Sequence, residues 1–217
     1  NEITIPEVLT AHPQLGYRHA SFGKWHLGSR AGDPNVLGGW NHFSGPVSEP
    51  GAIQNYFRWS KTANGVTSTS TNYATTENVN DSIAWIQQQG TNHWFLWLAF
   101  NAPHDPFHKP PNDLHSYDAL SVNPNTISQN PRPYYEAMTE AMDTEFGRLL
   151  SHIDRSNTVI IFIGDNGTPS EVIQPPFLPS RAKGTLYEGG IRVPLIIAGP
   201  VVTNPRREST NLVHTVD

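Results

Sequence analysis

The sequence contains no cysteine and few charged residues, and both absences limit what the protein can do. None of its 217 residues is cysteine, which excludes disulfide bonds, thiolate metal sites and a cysteine nucleophile within this chain. Charged residues make up 15% of the chain, below the roughly 25% of an average globular domain. The formal net charge is −5, whereas nucleic-acid-binding domains are usually basic, so we expect no nucleic-acid partner.

Long hydrophobic runs are also absent. The longest strongly apolar segments cover residues 94–100 and 158–163, far short of the roughly 18 residues that a membrane-spanning helix needs. We therefore expect no membrane span. Glycine and proline are plentiful, with 17 and 19 residues, so loops should make up much of the chain.

The order of helical and strand patterns predicts an α/β fold. Apolar residues at steps of three and four predict helices at 76–89 and 133–153, and a capping box at Thr4 and Glu7 predicts another at 5–11. A short strand is expected at 17–22. Three wholly apolar segments predict strands buried on both faces: 94–100, 158–163 and 193–198. We therefore expect a mainly parallel sheet flanked by helices.

Polar clusters follow three of the expected strands. Gly23-Lys24-Trp25-His26 follows the first, Asn101-Ala102-Pro103-His104 the second and Gly164-Asp165-Asn166-Gly167 the third. In open α/β sheets, ligands bind beyond the carboxyl ends of the strands. We therefore expect the three clusters to converge on one pocket.

The oxygen donors in these clusters point to a hard metal ion. Asp165 offers a carboxylate and Asn166 an amide carbonyl, which suit Ca²⁺, or alternatively Mg²⁺, better than zinc. Two ligands are too few for a complete site, so further ligands must come from elsewhere.

The basic residues add positive charge and proton transfer. Lys24 and Lys183 supply cations, and His26 and His104 can exchange protons near neutral pH. With a divalent ion, this set suits a tetrahedral oxyanion such as sulfate or phosphate, because charge on the transferred group needs cations and the leaving oxygen needs a proton.

Taken singly, each motif has a simpler structural explanation. Gly-Asp-Asn-Gly is more often a plain turn, because these residues favour turn geometry. Lys24 and His26 would also suit a solvated strand end. His104 would also suit a loop-shaping role, and Lys183 would suit an exposed basic loop.

Taken together, four segments resemble the formylglycine-dependent sulfatases of the alkaline-phosphatase-like superfamily. They occur in family order across nearly the whole chain: Gly23-Lys24-Trp25-His26-Leu27-Gly28, Phe100-Asn101-Ala102-Pro103-His104, Ile163-Gly164-Asp165-Asn166-Gly167 and Lys183-Gly184-Thr185-Leu186-Tyr187-Glu188-Gly189-Gly190. Residues 214–217 also resemble the start of the helix that follows in the family.

The resemblance implies a role for each candidate residue. Asp165 and Asn166 would be two ligands of an active-site Ca²⁺. Lys24 and His26 would lie beside the formylglycine, with His26 taking a proton from its hydroxyl. His104 would contact the sulfate and protonate the leaving alcohol. Lys183 would bind the sulfate and the bridging oxygen.

One part of the family pattern is missing from these 217 residues. The motif Cys/Ser-x-Pro-x-Arg, whose first residue becomes formylglycine, does not occur; Pro179-Ser180-Arg181 imitates its end, but Phe177 stands at the nucleophile position. The N-terminal aspartate pair that would complete the metal site is missing as well. We therefore expect the chain to be the central part of a sulfatase catalytic domain, without the nucleophile segment and the C-terminal subdomain, and inactive alone.

Two other functions stay open at this point. A phosphonate monoester hydrolase or phosphodiesterase of the same superfamily would share the metal, lysine and histidine motifs. A non-catalytic sulfatase-like binding module would keep the fold without the nucleophile. The resemblance further implies a sulfated small molecule or carbohydrate as substrate, the remainder of the parent sulfatase as partner, and export to the periplasm, the medium or a lysosome.

Aromatic residues in the two long loops offer candidate substrate contacts. The loops are 38–73 and 105–133, and the residues are Trp40, Tyr56, Trp59, Phe107, His108 and His115. Such side chains stack on sugar or aryl groups. The alternative is that they pack the loops themselves.

Overall fold

The computed structural model describes residues 2–47 and 53–214. The chain divides into two compact units, Asn1–His152 and Ile153–Asp217. In the described part of the chain, no helix is both long and apolar enough to cross a membrane. The helix start expected at 214–217 lies, from 215 onward, outside the described residues.

The first unit is a five-stranded sheet with helices. Its strands are β1 (Tyr17–Gly23), β2 (His42–Gly45), β3 (Trp59–Ala63), β4 (Val66–Ser70) and β5 (His93–Ala99). Its helices are α1 (Ile5–Ala11), α2 (Asp33–Val36), α3 (Ala74–Gln89), α4 (Pro124–Gln129) and α5 (Arg132–Leu150), with short 3₁₀ turns at Pro13–Leu15 and Asn112–Leu114.

The strand order of this sheet is β4-β3-β2-β1-β5. β1 lies between β2 and β5 and runs parallel to both. β3 and β4 continue the sheet antiparallel to their neighbours. The expected α/β class with a sheet flanked by helices is confirmed, and its parallel part is the set of three strands around β1.

The second unit contains a two-stranded antiparallel sheet. Strand β6 (Ile160–Ile163) pairs with β7 (Leu195–Ala198), and between them lie a 3₁₀ turn (Pro179–Arg181) and the short helix α6 (Glu188–Ile191). The two strands were expected at these places, although their antiparallel pairing was not.

Local sequence explains the helices well. The Thr4 hydroxyl accepts a hydrogen bond from the Glu7 backbone N–H at 3.3 Å, and the Glu7 carboxylate accepts one from the Thr4 N–H at 2.8 Å. This capping box satisfies N–H groups that the first turn of a helix leaves unpaired. Helix α1 therefore begins and ends where the sequence predicts.

A buried carboxylate joins the two long helices. Glu145 of α5 is only 3% exposed and accepts hydrogen bonds from Thr76 of α3, at 2.7 Å, and from the Arg148 guanidinium, at 2.7 Å. Burial of a carboxylate is costly unless it is paired and hydrogen-bonded, and both conditions are met here. The contact holds α3 against α5 at one point along their length.

The expectation that the apolar strands are buried on both faces is wrong for this structure. Trp97 of β5 is half exposed, and every residue of β7 is exposed. The cause is topological: β5 is the edge strand of its sheet, and β6 and β7 form a sheet of only two strands within the described residues. Apolar composition predicted these strands correctly but did not predict how many neighbours cover them.

Two glycines allow the parallel strands to approach closely at their carboxyl ends. A Cβ atom on Gly23 would lie 2.0 Å from the Ala99 carbonyl oxygen, and one on Gly45 would lie 1.9 Å from the Gly23 carbonyl oxygen. Gly23 also has a φ of +84°, which favours glycine. Side chains at these two positions would force the ends of the sheet apart.

We expect Gly23→Ala to lower the free energy of unfolding by about 2–5 kcal/mol, since it adds a backbone clash to an unfavourable φ. Urea unfolding followed by circular dichroism measures this. The matched control is Gly147→Ala in α5, where an added Cβ meets nothing within 4 Å. That variant should gain up to about 1 kcal/mol from helix propensity. Equal stability of the two variants would contradict the close-approach argument.

Candidate active site

Lys24 lies at the carboxyl end of the central strand β1. Gly23 pairs with Ala99 of β5, and the Lys24 backbone N–H donates to the Ala99 carbonyl at 2.7 Å. The backbone of Lys24 is therefore held against the neighbouring strand, and its side chain is only partly exposed.

Trp25 anchors the segment that carries Lys24 and His26. Its ring is 6% exposed and packs edge-on against Phe43, with ring centroids 6.1 Å apart. Its backbone N–H donates to the Pro46 carbonyl at 3.2 Å, and Trp25 forms a parallel bridge with Val47. In extended backbone, residues on either side of a buried one point away from it, so Lys24 is directed outward together with the exposed His26.

His104 lies in a tight turn after β5. Its backbone N–H donates to the Asn101 carbonyl at 2.9 Å, while Asn101 and Ala102 are buried. Its ring Nδ1 lies 2.8 Å from a carboxylate oxygen of Asp105. The buried Tyr56 donates its hydroxyl to the His104 carbonyl at 2.9 Å. The His104 backbone and ring are therefore both held by hydrogen bonds.

Because β1 and β5 are adjacent and parallel, Lys24 and the turn at 101–104 leave the sheet at the same edge. This is the edge where α/β sheets bind ligands. Lys24, His26 and His104 all belong to the first unit.

Asp165, Asn166 and Lys183 belong to the second unit. Asp165 and Asn166 are exposed and follow β6, whose end is fixed by a hydrogen bond from the Gly164 N–H to the Pro194 carbonyl at 3.1 Å. The Asn166 side-chain amide donates to the Gly167 carbonyl at 3.1 Å, which leaves its Oδ1 as an acceptor.

The loop after β6 packs directly against the segment that carries Lys183. The Lys183 N–H donates to the Thr168 carbonyl at 3.0 Å, and the Gly167 N–H donates to the Gly190 carbonyl at 2.8 Å. A Cβ on Gly167 would lie 1.9 Å from the Gly189 carbonyl oxygen. The structure thus brings the Asp-Asn pair and Lys183 into neighbouring segments within this unit.

The oxygen donors fit part of a calcium site. The Asp165 carboxylate and the Asn166 carbonyl oxygen are adjacent, exposed and of the type that Ca²⁺ or Mg²⁺ binds. Over residues 2–47 and 53–214, no three histidine, aspartate or glutamate side chains form a group able to hold a metal ion. Two residues supply fewer than the six to eight oxygen ligands that Ca²⁺ takes, so on their own they would form only part of such a site.

The loop aromatics that we considered as substrate contacts are mostly occupied by packing. Tyr56 and Trp59 are buried in a core cluster with Met138. Trp40 stacks on Phe95 with centroids 5.6 Å apart. The other contacts are similar: Phe107 packs against Tyr135, and both ring nitrogens of His115 bond to nearby backbone, at Pro110 and Tyr117. The alternative, that these residues pack the loops, is the one that the structure favours.

His108 is the partly buried centre of an aromatic cluster close to His104 in the sequence. The centroid of its ring lies 4.3 Å from that of the Tyr56 ring, and its Nε2 lies 3.2 Å from the Tyr73 hydroxyl oxygen. Its Nδ1 lies 2.9 Å from the Pro106 carbonyl, an acceptor, so the hydrogen-bond network assigns the proton of the neutral ring to Nδ1. Burial lowers the pKa of His108 to about 4 and raises that of Tyr73 to about 12.

Sequence reasoning missed two residues that contact His104. Asp105 is its immediate neighbour, so the pairing of a carboxylate with a candidate proton-transfer histidine was visible in the sequence. Tyr56 lies 48 residues away, and no local pattern connects it to His104.

Comparison with known proteins identifies relatives over the whole chain. The family model described as Sulfatase matches residues 1–217. Arylsulfatase J of Mus musculus is 26% identical and covers 99% of this chain, which spans 37% of that protein. Arylsulfatase G of Rattus norvegicus is 26% identical over all of this chain, which spans 48% of it. The chain thus spans less than half the length of these curated relatives.

Solved structures show the same fold. The structure of Ps i-CgsB in complex with k-i-k-neocarrahexaose matches with a TM-score of 0.74 and 24% identity, covering 91% of this chain and 47% of that one. The structure of BT4656 in complex with its substrate D-glucosamine-2-N,6-O-disulfate matches with a TM-score of 0.67 and 19% identity, covering 92% of this chain and 56% of that one.

The partly buried His108 should make stability depend on pH. Its folded pKa of about 4 lies below the unfolded value of 6.5, so the unfolded state takes up the proton first as the pH falls. The stability contributed by neutral His108 is complete above pH 6.5 and is lost as the pH falls toward 4. From pH 7 to 5 this loss is about 2 kcal/mol.

Urea unfolding of the wild type and of His108→Gln at pH 7 and pH 5 measures this difference. The variant should lose about 2 kcal/mol less than the wild type over that interval. His12→Gln, on an exposed histidine, is the control and should keep the wild-type pH dependence. A His108→Gln variant with the full wild-type loss would contradict the argument.

Proposed function

Because this chain belongs to the sulfatase family, we propose that it is the central part of the catalytic domain of a sulfuric ester hydrolase that cleaves sulfate monoesters. The observation that carries the proposal is the family match over all 217 residues, in which four motifs with anion-binding and proton-transfer chemistry occur together. The chain spans less than half of its relatives' length, so the activity belongs to the longer protein.

The lysines and histidines of this chain would act on the sulfate and the leaving group. Lys24 and Lys183 offset negative charge on the sulfate oxygens as it develops in the transition state. His104 gives a proton to the bridging oxygen while the bond between that oxygen and sulfur breaks, so the alcohol leaves neutral. His26 accepts a proton in the step that regenerates the nucleophile. The partly exposed position of Lys24 and His104 at one sheet edge supports these roles.

The nucleophile would be a formylglycine outside these 217 residues, since the sequence holds no Cys/Ser-x-Pro-x-Arg motif. That group would supply the nucleophilic oxygen for attack on sulfur. Asp165 and Asn166 would give two oxygen ligands to a Ca²⁺ ion, whose charge polarises sulfate oxygens. The remaining ligands would come, like the nucleophile, from the rest of the parent protein.

Sulfated carbohydrate is the substrate class that we propose. Two of the matching structures hold sugar ligands: Ps i-CgsB with k-i-k-neocarrahexaose, and BT4656 with its substrate D-glucosamine-2-N,6-O-disulfate. These titles describe those proteins, and they support the same class here because the fold is shared.

We expect the isolated 217-residue chain to show no multiple-turnover hydrolysis of 4-nitrophenyl sulfate, because the attacking group is outside it. The longer natural protein, with its nucleophile segment, should hydrolyse this ester and prefer it to 4-nitrophenyl phosphate. Release of nitrophenolate, followed by absorbance with and without added Ca²⁺, measures both. Turnover by the 217-residue chain would contradict its expected inactivity. A preference of the longer protein for the phosphate ester would indicate a phosphoesterase. A longer protein that hydrolyses neither ester would indicate a binding module.

Removal of the Lys183 side chain should slow the hydrolysis of sulfate esters by the longer protein. We expect Lys183→Ala to lower kcat/KM by about 100-fold or more, since a cation at the transferring group contributes several kcal/mol in a water-poor site. Arg155→Ala removes an equal charge from an exposed turn outside all four motifs and is the control. Steady-state kinetics on 4-nitrophenyl sulfate compare the two. Equal losses in both variants would remove Lys183 from the proposed site.

A further inference from the structure

Tyr56 holds the backbone of His104 through a buried hydrogen bond. Tyr56 is 1% exposed, and its hydroxyl lies 2.9 Å from the His104 carbonyl oxygen. A carbonyl oxygen only accepts, so the phenol is the donor. Burial raises the pKa of Tyr56 well above its usual value, which keeps this donor protonated at any working pH.

Asp105 fixes the proton on the His104 ring. The His104 Nδ1 lies 2.8 Å from a carboxylate oxygen of Asp105 and 2.9 Å from the Asp105 backbone carbonyl. Both partners only accept, so Nδ1 carries a hydrogen in both the neutral and the charged ring. The proton that the ring can gain or lose is therefore the one on Nε2.

The aromatic cluster keeps this arrangement rigid. The centroid of the Tyr56 ring lies 4.3 Å from that of His108 and 6.1 Å from that of Tyr73. The Nδ1 atom of His108 lies 2.9 Å from the Pro106 carbonyl oxygen. The turn that carries His104 is thus tied to the core at the His104 carbonyl and again two residues later. Tyr56 reaches it from a segment 48 residues away in sequence.

We infer that Tyr56 and Asp105 are positioning residues for His104: Tyr56 anchors its backbone and Asp105 its ring Nδ1, which commits Nε2 to proton transfer. Because His104 is the proton donor to the leaving oxygen only under the function proposed above, the catalytic meaning of this inference rests on that function. The geometry itself does not.

The tautomer of His104 tests the part played by Asp105. In the 217-residue chain labelled with ¹⁵N-histidine, at a pH where the ring is neutral, we expect Nδ1 to carry the proton. Asp105→Ala removes the charged acceptor and leaves only the weaker backbone carbonyl of residue 105, so it should move a measurable part of the population to the Nε2–H form. Asp105→Asn keeps an acceptor oxygen and should restore the Nδ1–H form. Asp118→Ala, at an exposed loop position, is the control. A wild-type ring protonated at Nε2, or an unchanged tautomer in Asp105→Ala, would overturn the role of Asp105.

A matched pair of tyrosine variants tests the backbone anchor. Tyr56→Phe removes only the hydroxyl that bonds the His104 carbonyl, whereas Tyr73→Phe removes a buried hydroxyl that bonds His108. Hydrogen exchange of the His104 amide, which is bonded to Asn101, should accelerate about fivefold or more in Tyr56→Phe and much less in Tyr73→Phe. Equal acceleration in the two variants would indicate general loosening of the core and would overturn the role of Tyr56.

The same variants in the longer protein separate this inference from the proposed function. We expect Tyr56→Phe and Asp105→Ala to lower kcat at least several-fold with little change in KM, and Asp105→Asn to recover most of the loss. If the spectroscopic changes occur but the longer protein hydrolyses no sulfate ester, the positioning holds and the proposed function fails. If the ester is hydrolysed but these variants leave kcat unchanged, the positioning inference fails alone.

Discussion

The close approach of β2, β1 and β5 at their carboxyl ends determines where Lys24 and His104, the candidate reactive residues of the first unit, lie. Gly45, Gly23 and Ala99 stand so near one another that a Cβ on either glycine would overlap a carbonyl oxygen of the next strand. Lys24 begins immediately after this point and is bonded to Ala99. The turn that carries His104 begins just beyond Ala99. The separation of the two residues is therefore set by the packing of backbone on backbone, which varies little with side-chain motion.

The ends of helices α1 and α3 could be predicted from the sequence, because residues within a few positions of each end determine where it lies. The capping box at Thr4 and Glu7 predicted both ends of helix α1 correctly. Helix α3 ends before Gly90, which has a φ of +58°, as expected. The hairpin of β3 and β4 was missed, although Asn64-Gly65 at its tip, with φ of 46° and 85°, is a strong hairpin turn sequence. Here the signal was present and was hidden by the irregular polar pattern around it.

The features that could not be predicted depend on contacts between distant segments. Nothing near Tyr56 indicates that its hydroxyl bonds the His104 carbonyl, and its aromatic ring suited a substrate contact equally well. Similarly, the apolar composition of β7 is the same whether the strand has neighbours on both sides or on one. Pairing and burial are properties of the assembled sheet, and a single sequence holds only the preference of each strand for them.

The candidate site residues share one structural property, which is that buried residues lie close to them in the sequence. Each proposed cationic or proton-transferring side chain lies within two positions of a buried residue: Trp25 lies between Lys24 and His26, Ala102 precedes His104 by two positions, and Ala182 precedes Lys183. A buried neighbour fixes the backbone of each segment, and His104 is held further by its own contacts with Tyr56 and Asp105. The candidate motifs therefore combine proposed reactive residues with buried residues, and the buried residues hold the backbone from which the proposed reactive side chains extend.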